Sequence, residues 1–240
     1  MKKSILITGG SGLLAVNWAL SIRDEYEVTL LLHCRKISLQ GVNTYIAPLD
    51  SLSDCLTVLD KRKPDLVIHT AGLTNVEECE SNFELAQEVN VDLAKNMAAA
   101  CNEKSIKLIH ISTDHLFSGE QELVSEEAST NPINNYAKTK LLGEHKVLEN
   151  CQDALVVRTN FFCWGTKYRQ SFSDFILNKL RNNESVNLFS DVFFTPILVD
   201  ELSKRVHQLI DANLSGVFNV TSSERLSKYE FGVKLANCFN

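Results

Sequence analysis

Tyr136 and Lys140 stand four residues apart in the stretch "INNYAKTKLLGEH". On a helix that spacing puts both side chains on one face. A lysine ammonium beside a phenol favours the phenolate and lowers its pKa, and a tyrosine tuned in this way can exchange a proton with a carbonyl oxygen. The chain has five tyrosines, so one such spacing decides nothing alone. A third member comes from "LIHISTDHLFSG", an apolar run that ends in the hydroxyls of Ser112 and Thr113. A hydroxyl at such a strand end can hold a substrate oxygen. Thr113, Tyr136 and Lys140 are therefore the candidate catalytic set.

Chemistry at a carbonyl needs a source or sink of hydride, and the N-terminus is built for one. In "ILITGGSGLLA" a glycine-rich turn follows an apolar run and precedes a helical segment. Gly9, Gly12 and Ala15 keep the spacing of a dinucleotide-binding turn: tight, open to a pyrophosphate, and close-packed between helix and strand. The amides at the start of that helix, including Leu13 and Leu14, then face the phosphates. The second strand ends in "LLLHCRK", which carries Arg35 and no carboxylate. A cation there suits a ribose 2′-phosphate, so NADP is expected, with NAD left open. Asp50 is a candidate partner for the adenine. Ala71 and Gly72, in "HTAG", are small residues where cofactor would lie against backbone.

These residues need a scaffold. Short runs rich in Val, Ile and Leu at 5–8, 28–33, 44–47, 66–69, 107–111 and 154–158 alternate with helical segments at 12–23, 52–61, 81–103 and 136–149. Continuous apolar strands between helices predict an α/β fold, a doubly wound parallel sheet of the Rossmann kind. The spacing predicts this dinucleotide-binding domain over 1–160. Residues 161–240 are read as a smaller, partly interleaved substrate lobe with a helix at 172–181, a strand at 186–189, a helix at 199–213, a strand at 217–220 and a helix from Ser227.

Composition excludes other classes. The 240 residues are 44% hydrophobic and 22% charged, as in ordinary globular proteins. A net charge of -6 and a pI near 5.6 disfavour nucleic acid and anionic membranes as partners. No apolar run is long enough to span a bilayer. The lysines of "MKKSILITGG" precede too short an apolar stretch for a signal peptide, so it reads as a first strand. Seven scattered cysteines with no Cys-x-x-Cys pair fit reduced thiols in a cytoplasmic protein. The six histidines show no metal-ligand spacing, and no metal is assigned.

Taken together, "ITGGSGLLA", "PDLVIHTAGLTNVEECE", the Val89 and Asn90 pair, "ISTDHLFSG", "NPINNYAKTKLLGE", "VVRTN" and "SERLSKYEF" resemble the extended short-chain dehydrogenase/reductases. Within these the likeness is to the sugar-nucleotide-binding family of dTDP-4-dehydrorhamnose reductase. The resemblance implies that Gly9, Gly12 and Ala15 bind the pyrophosphate, Thr113 orients a carbonyl, Tyr136 is the acid, and Lys140 also contacts the nicotinamide ribose. It implies a nucleotide-linked keto sugar as substrate, bordered by Thr74, Val76, Asp114, Asn160 and Phe161, and it leaves a homodimer open. Related dehydratases place an Asp–Glu pair after the threonine; here Asp114 is followed by His115, so elimination lacks its base and reduction is preferred. Family members usually extend beyond the "SKYEF" segment, which points to a shortened substrate lobe. Two alternatives stay open: a regulatory subunit that holds NAD(P) without turnover, like the β subunit of methionine adenosyltransferase, and an epimerase or dehydrogenase acting on another sugar nucleotide.

Overall fold

A computed structural model of the protein describes residues 2–119 and 123–239. In chain order its elements begin with β1 (Ser4–Ile7), α1 (Leu13–Ile22), β2 (Glu27–Leu32), β3 (Asn43–Ile46), α2 (Leu52–Arg62) and β4 (Leu66–His69). Next come α3 (Val76–Ser81), α4 (Phe83–Gln87), a π-helical turn (Glu88–Asp92), α5 (Leu93–Glu103), β5 (Lys107–Ile111), α6 (Asn135–Asn150) and β6 (Leu155–Arg158). The chain continues through β7 (Phe161–Phe162), α7 (Phe172–Arg181), β8 (Phe193–Phe194), β9 (Ile197–Leu198), α8 (Val199–Asp211), β10 (Gly216–Asn219), β11 (Leu226–Ser227) and α9 (Lys228–Phe239).

Seven parallel strands form the central sheet in the order β10-β6-β5-β4-β1-β2-β3. The chain reverses direction across the sheet beside β1, between β1 and β4, which is where such sheets open a ligand crevice. Side chains alternate along each strand. Ile5 and Ile7 face one helix layer with Trp18 of α1 and Leu202 of α8, whereas Leu6 faces the other with Val58 of α2 and Met97 of α5. Both faces are therefore covered, which is why the strands read as unbroken apolar runs.

Residues 161–240 interleave with the main unit. β10 pairs with β6 in parallel, extending the sheet, and Leu202 and Val206 of α8 join the same core as Trp18. A separate small core gathers Ile176, Leu177, Phe194, Leu226, Phe231 and Leu235 from α7, β8, β11 and α9. The expected strand at 186–189 is absent; the extended pieces here are the two-residue β8, which pairs with β11, and β9, which pairs with β7. The helix expected over 81–103 is instead divided. Asn75 and Asn82 each accept a hydrogen bond from a backbone amide as N-caps of α3 and α4. The π-helical turn then interrupts the run before α5.

Candidate active site

The glycine turn fits a phosphate because side chains there would collide with backbone. Gly9 has φ +64°, and a Cβ on it would lie 2.9 Å from both the Cα and N of Ala71. The turn after β1 and the loop after β4 thus run in van der Waals contact, with Ala71 and Gly72 as their small residues. Gly12 is the N-cap of α1 and has no side chain to cap the first-turn amides. Those donors, Leu13 and Leu14 among them, are left for an anion. The Leu14 side chain itself packs in the core.

Arg35 follows β2 with its guanidinium 4.8 Å over the Tyr168 ring, and the Tyr168 hydroxyl donates to the Ser11 carbonyl at 3.0 Å. The segment after β7 therefore reaches back over the glycine turn and anchors Arg35 beside it. Asn17 reinforces this by donating to the Trp164 carbonyl at 2.9 Å. Asp50 is exposed past the end of β3, and its carbonyl accepts from Asn96 at 3.4 Å.

At the end of β5 the three candidate catalytic residues meet. Asn134 caps α6, accepting from the Ala137 amide at 2.8 Å, and so starts the helix just before Tyr136. Thr113, buried just past β5, has its hydroxyl near enough to Tyr136 to favour the phenolate, and its Oγ1 accepts from the His115 amide at 3.2 Å. Lys140, one turn further along α6, is buried and donates from Nζ to the Ile111 carbonyl at 2.7 Å. Burial pushes its pKa down to about 8, against the opposing pull of Glu144. One expectation is corrected here: the Tyr136 phenol is raised to about 12, not lowered. Burial disfavours the phenolate and the nearby Asp114 charge adds to this, outweighing the Thr113 hydrogen bond. Its hydroxyl is thus held protonated.

Asn90 sits in the π-helical turn, and no local sequence pattern gives it a role. Its Oδ1 accepts from the Leu73 amide at 2.8 Å, and its Nδ2 donates to the Leu73 carbonyl and to Thr139 Oγ1. It thereby ties the loop after β4 to α6, one residue before Lys140. Gly143 lets α6 come this close, since a methyl group there would run into the Asn90 carbonyl. Beneath lies an ion pair between Arg158 and Glu144, both buried, with Arg158 Nη2 donating at 2.7 Å.

The expected substrate-side residues cluster unevenly. Asp114 accepts from Asn160 Nδ2 at 3.0 and 3.1 Å, and burial raises its pKa despite that contact. His115 sets its ring edge-on to Tyr136, 5.9 Å between centroids. Phe161 is in β7, paired with Ile197. Thr74 is exposed on the loop after β4, where Arg169 Nη2 donates to its Oγ1 at 3.4 Å, and Val76 is exposed at the start of α3. No sequence pattern marks Lys228 of α9, whose charge acts on the ionisation of Asp114.

The sheet order, the glycine turn, and a tyrosine–lysine helix beside the end of β5 define an oxidoreductase of the extended short-chain dehydrogenase/reductase class. The whole chain, residues 1–240, matches the RmlD substrate binding domain family, and the protein belongs to that family. It is 31% identical to a probable low-salt glycan biosynthesis reductase, Agl14, of Haloferax volcanii, over 95% of this chain and 78% of the relative. It is 29% identical to the methionine adenosyltransferase 2 subunit beta of Bos taurus, over 99% of this chain and 72% of that one. Among solved structures, a hypothetical dTDP-4-dehydrorhamnose reductase from Sulfolobus tokodaii superposes with a TM-score of 0.86 at 29% identity, covering 100% of this chain and 83% of the other. A dTDP-4-dehydrorhamnose reductase from Bacillus anthracis in complex with NADP gives a TM-score of 0.83 at 26% identity, covering 99% and 81%.

Proposed function

We propose that the protein reduces the keto group of a nucleotide-linked sugar with NADPH, as a dTDP-4-dehydrorhamnose reductase-like enzyme. The observation that carries this reading is the meeting of Thr113, Tyr136 and Lys140 at the end of β5, one strand away from the glycine turn after β1 across β4. Gly9, Gly12 and the open amides of α1 fit the cofactor's pyrophosphate, and Arg35 fits a 2′-phosphate. When bound there, NADPH supplies the hydride.

The chain's own residues do the rest. Thr113 holds the carbonyl oxygen by its hydroxyl. Tyr136, protonated because its phenol is buried, gives its proton to that oxygen as negative charge develops there. The ammonium of Lys140 lies one helical turn away, where its charge offsets that of the phenolate left behind. Asn90 fixes α6 so that this geometry does not depend on substrate. His115 takes no proton in this scheme; its ring packs against Tyr136.

The test is NADPH oxidation, followed at 340 nm, on addition of a dTDP-4-keto-6-deoxy sugar to the purified chain. Loss of the 340 nm signal is the expected result. Tight NADPH binding without oxidation of any keto-sugar nucleotide would replace the enzyme with a cofactor-holding subunit.

A further inference from the structure

Between β7 and α7 the chain forms a strap, residues 163–171, whose two ends are buried and whose tip is exposed. Cys163 sits in the large core, and Ser171 caps α7 by accepting from the Asp174 amide at 3.0 Å. Asp174 joins the two ends, since its Oδ2 accepts from the amides of Gly165 at 2.6 Å and Ser171 at 3.1 Å. A side chain at 165 would run into that carboxylate and the Arg169 carbonyl, which is why glycine stands there. Thr166 and Arg169 then close a turn. The Thr166 amide donates to the Arg169 carbonyl at 2.8 Å and the Arg169 amide to Thr166 Oγ1 at 3.1 Å. Tyr168 and Arg169 are presented at its tip.

The tip is held by polar contacts to two separate loops. Tyr168 donates to the Ser11 carbonyl at 3.0 Å, in the turn after β1. Arg169 Nη2 donates to Thr74 Oγ1 at 3.4 Å, in the loop after β4. Those loops are the two lips of the crevice beside β1, and the open amides of α1 begin just after Ser11. Consecutive side chains of the strap thus bond to both lips, across the place that suits a cofactor's pyrophosphate. Lys167, Tyr168, Arg169 and Gln170 are all exposed, so no apolar core adds to these two bonds. A segment held in this way opens locally at far lower cost than the sheet below it. Its root stays tied to α1, where Asn17 donates to the Trp164 carbonyl at 2.9 Å.

We propose that Tyr168 and Arg169 are positioning residues that latch this strap across the cofactor crevice, so that nucleotide enters and leaves only when they release Ser11 and Thr74. The inference rests on the reading of the glycine turn as an NADPH site. Both bonds join protein to protein. They therefore set the barrier to exchange in each direction and leave affinity to the residues that touch the nucleotide.

Stopped-flow fluorescence of the full chain with NADPH reads association and dissociation separately. Tyr168→Phe keeps the ring under Arg35 and removes only the bond to Ser11. Both rates should rise by about fivefold, the worth of one ordinary hydrogen bond, while their ratio holds. Thr74→Val cuts the other bond from the opposite lip, leaves the strap itself intact, and should act in the same direction. Unaltered rates in both variants overturn the proposal. So does faster dissociation with unaltered association, which would make the strap a contact of bound nucleotide instead of a latch. A wild-type chain that binds no NADPH would sink the cofactor reading itself, and the latch with it.

Discussion

His69 and His110 lie ring against ring beneath the cleft, their centroids 5.5 Å apart and their planes 20° apart. They are cross-strand partners at the ends of β4 and β5. Thr8 Oγ1 accepts from the amides of Thr70 and Ala71, so its own proton goes to His69 Nδ1 at 3.0 Å. His69 is therefore neutral, with the proton on Nε2. Neither nitrogen of His110 has a partner among the described residues. Burial drives the His69 pKa down to about 3 and that of His110 well down, and the charge of Lys140 adds to both.

Acid should therefore unfold the protein through these rings. A histidine lowered from 6.5 to about 3 is protonated in the unfolded chain, and not in the native one, between those values. Stability is full above pH 6.5 and falls as pH drops, by up to roughly 1.4 kcal/mol per pH unit for each such ring. Urea unfolding at pH 7.5 and pH 5 should show the loss, and His110→Phe, which keeps the stacking, should reduce it. Equal stability at the two pH values would contradict the buried pair.

Arg158 and Glu144 are the charged groups to break next. Arg158 reaches both Glu144 oxygens, through Nε at 3.1 Å and Nη2 at 2.7 Å. Removing one charge leaves the other buried and unpaired, which costs about 3–5 kcal/mol. Glu144→Gln should lose that much stability by urea unfolding. Replacing both, as Glu144→Leu with Arg158→Met, should cost less than the sum of the single changes.

Arg35 should set the choice of cofactor. Because Tyr168 holds the guanidinium beside the glycine turn, Arg35→Ala should weaken NADPH by about tenfold and leave NADH nearly unchanged. Fluorescence titration reads both constants. An unchanged ratio would make Arg35 a surface charge that merely stacks on Tyr168.

The pH–rate profile carries the mark of Lys140. Its pKa is depressed to about 8, so the ammonium is present below that value and lost as pH rises through it. Tyr136, raised to about 12, keeps its proton throughout. The rate of keto-sugar reduction should therefore fall above about pH 8 with a single proton lost. A rate that climbs through pH 8 would assign the titration to a base instead.

Much of this was legible in the residues. Runs such as "ILI" and "LVIH" are apolar at every position because both sheet faces are covered, and that pattern survives in sequence. Tyr136 and Lys140 were readable from helical spacing, and Gly9 from the turn it must make. The π-helical turn was not, because Asn90 acts through Leu73 and Thr139, contacts that no local pattern encodes. The direction of the Tyr136 shift was also hidden: it depends on burial and on Asp114, where the sequence shows only the neighbouring lysine. Lys228 lies 92 positions from Tyr136, and only folding brings it to bear on Asp114. Strands of two residues, such as β8, are too short for any periodicity to reveal.

The most direct test of the central claim compares wild type with Tyr136→Phe in single-turnover oxidation of bound NADPH by a dTDP-4-keto-6-deoxy sugar. The variant should bind NADPH normally and lose roughly 10²–10⁴-fold in rate, the worth of a positioned proton donor. A Tyr136→Phe chain that reduces the sugar at the wild-type rate would contradict the account.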